Sequence, residues 1–213
     1  MKALRSALGV IREARRPYLI LNLLYYGLVA CAMGVTAFDR SLQQTLMDSV
    51  GGALTEGPLA PVLDAYTGGQ VWLAIGLTFG INLLVGSFVT ITLPSLVIPF
   101  SGFLLAAVRA GMWGVLFSPQ IEGGVGAREL VVGLMLLILL FLEGQGYVLA
   151  LFGAYLHGRA FLWPRTVGLT GRWQGYWHGL KEQARIYLLV ALVLVIAAVY
   201  EVLLAMVVLS ALL

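Results

Sequence analysis

The chain has very little charge. Only 11% of its 213 residues are charged, against about a quarter in an ordinary soluble domain. With 61% of residues hydrophobic and a mean hydropathy of +0.96, a water-soluble fold is excluded. The single cysteine excludes an intrachain disulfide and a cysteine-cluster metal site. The two histidines, His157 and His178, stand in no His-Glu-x-x-His frame, and Ser101-Gly102 lacks the upstream glycine of a rhomboid-type serine site. No glycine-rich phosphate loop is present, so any use of nucleotide would fall to a partner protein. Neither an enzyme, nor a cofactor, nor a bound metal, nor a nucleic-acid partner is expected.

What is present is a set of long apolar runs. About 20 apolar residues at 1.5 Å each span a hydrocarbon core of about 30 Å, and the chain supplies such runs at 17–38, 71–93, 96–117, 130–156 and 186–213. The expected fold is all-α: a polytopic helical membrane protein of about five transmembrane helices with short interfacial amphipathic helices. Residues 1–16 read as one of these, with Leu4, Leu8 and Ile11 on one face and Arg5, Arg12, Arg15 and Arg16 placed for lipid headgroups. Residues 39–70 are acidic, carrying Asp39, Asp48, Glu56 and Asp64 against Arg40, and are broken by Gly51-Gly52, Pro58, Pro61 and Gly68-Gly69. Within them Leu42, Leu46 and Val50 suggest a short helix capped near Asp39 or Ser41. Pro94 and Pro99 place a turn between the second and third spans, with a re-entrant hairpin as the other solution. A loop at 118–129 holds Glu122, Arg128 and Glu129. Residues 157–185 form a basic loop in which Arg172, Trp173, Trp177 and Lys181 suit a headgroup boundary and both histidines are solvated or face headgroups.

Short cytoplasmic segments are enriched in Lys and Arg. The leader and the 157–185 loop carry five cations each, the other two loops one each, so an odd span count with a cytoplasmic amino terminus and an extracytoplasmic carboxyl terminus satisfies every loop. The run Leu28-Val29-Ala30-Cys31 has the form of a lipoprotein box, but the apolar stretch continues through Phe38, so Cys31 reads as a helix-packing residue and the first span as uncleaved.

Three ionisable side chains belong to no loop: Arg109, Glu143 and Glu201. Each costs about 2.5 to 3.5 kcal/mol to insert, so such residues face the protein interior and pair. Asn82 lies at similar depth, and Gln145 and Tyr147 follow Glu143 in FLEGQGYVLA. Small residues four apart form stripes for close helix contact: Gly102, Ala106, Ala110 and Gly114 in the third span, Gly146, Ala150, Ala154 and Gly158 in the fourth. The expectation is that these consecutive spans are neighbours, with Arg109 and Glu143 in reach of each other. The cluster Asn82, Arg109, Glu143, Tyr147 and Glu201 then reads either as a structural ion pair that fixes which helices meet, or as a transport site whose carboxylate takes up a proton or cation. The stripes also permit homo-oligomers.

From Asn82 onward the pattern resembles the stage II sporulation protein M family of bacterial and archaeal membrane proteins. The likeness is carried by FGINLLVGS, IPFSGFLLAAVRAGMWGVLFSP, EGQGYVLALFGAYLHGR and AAVYEVLLA. Members typically show histidine-glycine, then glutamate three residues after the glycine, then alanine three further. Here the frame reads Glu143-Gly144, Tyr147, Ala150, which keeps the small-residue skeleton and changes the two polar positions. The resemblance implies a component of the cytoplasmic membrane without catalysis of its own, working with membrane or envelope proteins as the sporulation namesake works with partners that cut peptidoglycan.

Overall fold

The computed structural model describes residues 2–38, 40–57, 59–119 and 127–210, and their side chains except at 127–129 and 207–210. Asp39, Pro58, Glu122, Arg128, Glu129 and the last residues of the fifth predicted span therefore lie outside what is described here. The elements are α1 (Lys2–Glu13), α2 (Arg15–Phe38), α3 (Ser41–Thr55), α4 (Ala60–Thr67), α5 (Val71–Gly80), a π-helix (Ile81–Thr92), α6 (Leu93–Val97), α7 (Ser101–Leu116), α8 (Ala127–Leu162), a 3-10 turn (Pro164–Val167) and α9 (Arg172–Ser210). Among the described residues there is no strand, and four helical stretches are long and apolar enough to cross a membrane: Arg15–Phe38, Val71–Val97, Leu130–Leu162 and Arg172–Met206. The chain is an all-helical, multi-pass membrane protein.

The expected third span, 96–117, is represented by α7, whose 16 residues cover about 24 Å at 1.5 Å each, less than the hydrocarbon core requires. It still runs between the two ends of the bundle. Phe100, just before α7, packs on Trp163 at 5.9 Å. The last turn of α7 lies under α3, where Gln43 Nε2 donates to the carbonyls of Leu116 at 3.2 Å and Ser118 at 3.0 Å. Ser118 Oγ in turn donates to the Met33 carbonyl near the end of α2.

The turn between the second and third spans falls later than Pro94. The helix continues through that proline to Val97, and the reversal occurs at 98–100, where Phe100 takes a left-handed φ of 70°. Ser87 Oγ donates to the Asn82 carbonyl and Thr90 Oγ1 to that of Val85, each five residues back, whereas Thr36 and Thr45 in ordinary α-helix reach back four.

Several predicted boundaries move because helices extend into supposed loops. The 39–70 segment is mostly α3 and α4, with Gly51 and Gly52 inside α3; its first residue follows Arg40, which provides no side-chain cap. The buried anchor of α3 is Gln43, while Leu42 is exposed. The basic loop shrinks to 163–171, since α8 continues to Leu162 and α9 begins at Arg172. Glycines let these two helices meet backbone to backbone: a Cβ on Gly179 would lie 2.6 Å from the His157 Cα, and one on Gly175 would collide with the Ala160 carbonyl. His157, predicted to be solvated or to face headgroups, is fully buried in that contact. Cys31 is exposed on α2 rather than packed.

The leader forms α1, but its docked face differs from the predicted one. Ala7 is fully buried, Val10 and Ile11 pack beside it, and α1 rests against α9. Leu4 and Leu8 remain exposed alongside Arg5, Arg12, Arg15 and Arg16. Tyr18, three residues into α2 from Arg15, packs on Phe152 of α8 at 5.4 Å, so the basic start of α2 shares one end of the bundle with Arg159, Arg172, Trp173, Trp177 and Lys181. The last four are exposed at the head of α9. The acidic 39–70 segment, tied to the far ends of α2 and α7, occupies the other.

Candidate functional site

The site is organised by α8, whose side chains reach different neighbours according to helical phase. Glu143 and Tyr147, four apart, share a face and are 3% and 0% exposed. They meet Asn82 of the π-helix, whose Nδ2 donates to Glu143 Oε1 at 2.8 Å while its Oδ1 accepts from the Tyr147 hydroxyl at 2.9 Å. Tyr147 Oη also accepts from Arg109 Nη2 at 2.6 Å, and the guanidinium lies 4.0 Å from the Tyr147 ring centroid, a cation–π contact. Gly86 makes this possible: a Cβ there would stand 3.0 Å from both Arg109 Nη2 and Tyr147 Cε1. The order is therefore Arg109, Tyr147, Asn82, Glu143.

The expected direct contact between Arg109 and Glu143 is replaced by this relay. An arginine on half-buried α7 stacks on the intervening phenol, and the phenol and carboxamide pass the polarity on to the carboxylate. Glu201 of α9, half-buried, lies near Glu143 and Tyr66 of α4. Burial, with the Glu201 charge beside it, pushes the Tyr66 phenol above its ordinary value, and its hydroxyl pairs with Thr78 Oγ1 at 3.1 Å. Tyr25 of α2 is a member that sequence reasoning missed. It is 2% exposed and electrostatically coupled to Arg109 and Glu143. Only its aromatic position within a span signalled it, and α2 has several such residues. Three buried polar atoms around the cluster have no hydrogen-bond partner: Glu143 Oε2, Arg109 Nε and Tyr25 Oη.

The small-residue stripes are buried as expected but do not face each other. On α7, Gly102, Ala106, Ala110 and Gly114 are all buried. A Cβ at Gly102 would strike the Ile91 carbonyl of the π-helix, and one at Gly114 the Val29 carbonyl of α2. On α8, a Cβ at Gly146 would strike Leu194 of α9, and one at Gly158 the Phe100 ring at 2.9 Å; Ala150 and Ala154 are fully buried between them. The principal neighbour of α8 is thus α9, and that of α7 is α2, although α7 and α8 also touch. Consecutive order in the chain did not decide adjacency; the fit of glycine faces to backbone did.

A second polar set faces outward. Gln145 lies on the opposite side of α8 from the carboxylate, where its Oε1 accepts from the Tyr18 hydroxyl at 2.8 Å and its Nε2 donates to Asn22 Oδ1 at 2.5 Å and Tyr26 Oη at 3.1 Å. These groups floor an open groove between α2 and α8, rimmed by Leu19, Leu23 and Phe141, which are 61%, 75% and 56% exposed. Gly144 is required here because a Cβ would lie 2.8 Å from the Tyr26 hydroxyl. Compared with protein-family models, with curated proteins and with solved structures, the chain matches none of them.

Proposed function

We propose that the chain is a non-catalytic membrane component that scaffolds or regulates an envelope-associated protein complex, the role implied by its resemblance to the stage II sporulation protein M family. The observation that supports this most is the groove between α2 and α8. Tyr18, Asn22, Tyr26 and Gln145 hydrogen-bond one another on its floor, and polar groups so placed, open toward the membrane from within a span, suit a partner transmembrane helix bearing a polar residue of its own. The amino terminus is cytoplasmic and α7 makes a fifth crossing, which puts the exposed cations of α1 and α9 at the inner surface.

A photo-crosslinker at Leu23 tests the reading in intact cells. The expected product is a discrete adduct with another membrane protein, lost on Gln145→Leu and not formed from a crosslinker at Leu104 of α7. Equal yields from Leu23 and Leu104, or an adduct indifferent to Gln145→Leu, would refute it. Labelling of single cysteines at positions 6 and 64, after replacing Cys31, reports the orientation. The unpartnered Oε2 of Glu143 favours a second reading, in which the midplane carboxylate takes up and releases a proton.

A further inference from the structure

The π-helix buries a row of polar residues: Asn82, Ser87 and Thr92, five positions apart, lie on its buried side together with Gly86 and Ile91. The three polar residues are at 8%, 0% and 2% exposure, and Ser95 at 0% follows them toward the basic end of the bundle. Asn82 binds Glu143 and Tyr147 of α8, and Thr92 Oγ1 pairs with Tyr187 Oη of α9 at 2.6 Å. This row of polar side chains runs along the interior from mid-membrane to the Phe100 reversal.

Unpartnered polar atoms gather at both ends of the row. At the Phe100 end, both amide atoms of Gln183 and the Ser101 hydroxyl have no partner, and the His157 ring meets no polar group but the Ser95 backbone; His157 and Gln183 are 0% and 2% exposed. They are close in space because Gly179 packs on His157 and Gly153 on Gln183, one helical turn apart along the same α8 and α9 seam. At the other end stand Glu143 Oε2, Arg109 Nε and Tyr25 Oη. Buried polar atoms in native proteins find partners, and water is the one ligand that both donates to and accepts from imidazole, carboxamide and hydroxyl groups.

We propose that Asn82, Ser87, Thr92 and the His157, Gln183 and Ser101 pocket, bridged by water, form an internal proton path from the basic end of the bundle to Glu143. Each hydroxyl or water accepts one proton and releases another, while Asn82 holds the last water beside the carboxylate without itself relaying a proton, so a proton moves without any redox step and ends on Glu143. The groups that face this carboxylate are Asn82, Tyr147, Arg109, Tyr25 and Glu201; those around His157 are the Tyr176 ring at 4.7 Å and the Ser95 backbone. The proposal rests on the proton-uptake reading and adds its route.

The full chain, purified and reconstituted in liposomes with an entrapped pH dye and a potassium-valinomycin potential, provides the test. The wild type is expected to pass protons. Thr92→Val, which keeps the shape and removes the hydroxyl, is expected to fall to the level of protein-free liposomes, and Thr92→Ser to restore flux. Glu143→Gln should abolish flux as well. In infrared spectra the deuterium exchange of the Glu143 carboxyl should be slowed by Thr92→Val and not by Thr92→Ser. If Glu143→Gln abolishes flux while Thr92→Val leaves both flux and exchange unchanged, proton uptake at Glu143 stands and the route falls. If wild-type protein passes no protons, both fall.

Discussion

Removing the Tyr147 hydroxyl should destabilise the protein more than replacing the Glu143 carboxyl by an amide. Tyr147→Phe deletes the acceptor of Arg109 Nη2 and the donor to Asn82 Oδ1, both in the buried interior. The ring remains, so the guanidinium keeps its face contact at 4.0 Å. A hydrogen bond to a charged group contributes about 1.5 to 3 kcal/mol in water-soluble proteins and a neutral one about 1 kcal/mol. Between membrane helices the measured values are smaller, about 0.6 kcal/mol on average and about 1.7 at most. The membrane scale governs here, and two bonds with one charged partner give a loss of about 2 kcal/mol. Glu143→Gln leaves an oxygen to accept from Asn82 Nδ2 and keeps the shape of the buried side chain next to Glu201, so its cost should stay below about 1 kcal/mol. Reversible unfolding in mixed detergent micelles, read from the transition midpoint, measures both, and a double-mutant cycle of Arg109→Leu with Tyr147→Phe should return a coupling above about 0.5 kcal/mol. A Glu143→Gln loss that exceeds that of Tyr147→Phe would show that the carboxylate, rather than the phenol, holds the cluster together.

Gly175→Ala places a methyl group against the Ala160 carbonyl and should force α8 and α9 apart at the basic end, lowering the unfolding midpoint by about 2 kcal/mol or more; Gly27→Ala, with open space around it, should change it by well under 1 kcal/mol. Gln43→Leu strips two hydrogen bonds from the end of α7 and should cost about 1 to 2 kcal/mol, with hydrogen exchange at 114–118 rising locally. Because folding raises the Tyr66 phenol, its contribution is intact below the unfolded value of about 10 and is lost as pH climbs above that. Tyr66→Phe should therefore flatten the alkaline limb of the stability curve. Replacing Arg5, Arg12, Arg15 and Arg16 by Gln should weaken association of the exposed α1 face with anionic vesicles by about 1 kcal/mol per residue, most visibly at low salt.

The apolar runs made the fold class legible, because length and lack of charge suffice to mark a membrane helix. They marked its ends poorly. Arg159, Arg172 and Lys181 read as loop residues because they are charged, yet long cationic side chains at a helix end can reach water without breaking the helix, and α8 and α9 run through them. Asn82, Arg109, Glu143 and Tyr147 were legible as one group, since lone polar residues in spans must find each other. Their order was not, because composition does not say whether an arginine meets a carboxylate or the phenol one turn along. The π register was invisible for a related reason. It requires no special residue at each step, and only the hydroxyls reaching five residues back disclose it.

The helix that carries FLEGQGYVLA explains why that stretch is polar at all. A transmembrane helix at the edge of a bundle shows one face to protein and the rest to lipid, and can afford few polar residues. From Glu143 to Tyr147, α8 is enclosed on several sides: Glu143 and Tyr147 turn to the π-helix, Gly144 and Gln145 to Tyr26 and Asn22 of α2, Gly146 to Leu194 of α9. Glycine at 144 and 146 brings the neighbouring helices near enough for the side chains between them to be satisfied by protein, which is the condition under which hydrocarbon tolerates them. The consequence is directional. A bulky residue at 144 should open the α2 side and disturb Gln145 while sparing Asn82 and Glu143. One at 146 should push α9 outward and carry Glu201 away from Glu143. Crosslinking of cysteine pairs across each seam in Gly144→Val and Gly146→Val separates the two effects, and equal loss on both sides from either substitution would mean that the inner and outer polar sets are one unit rather than two.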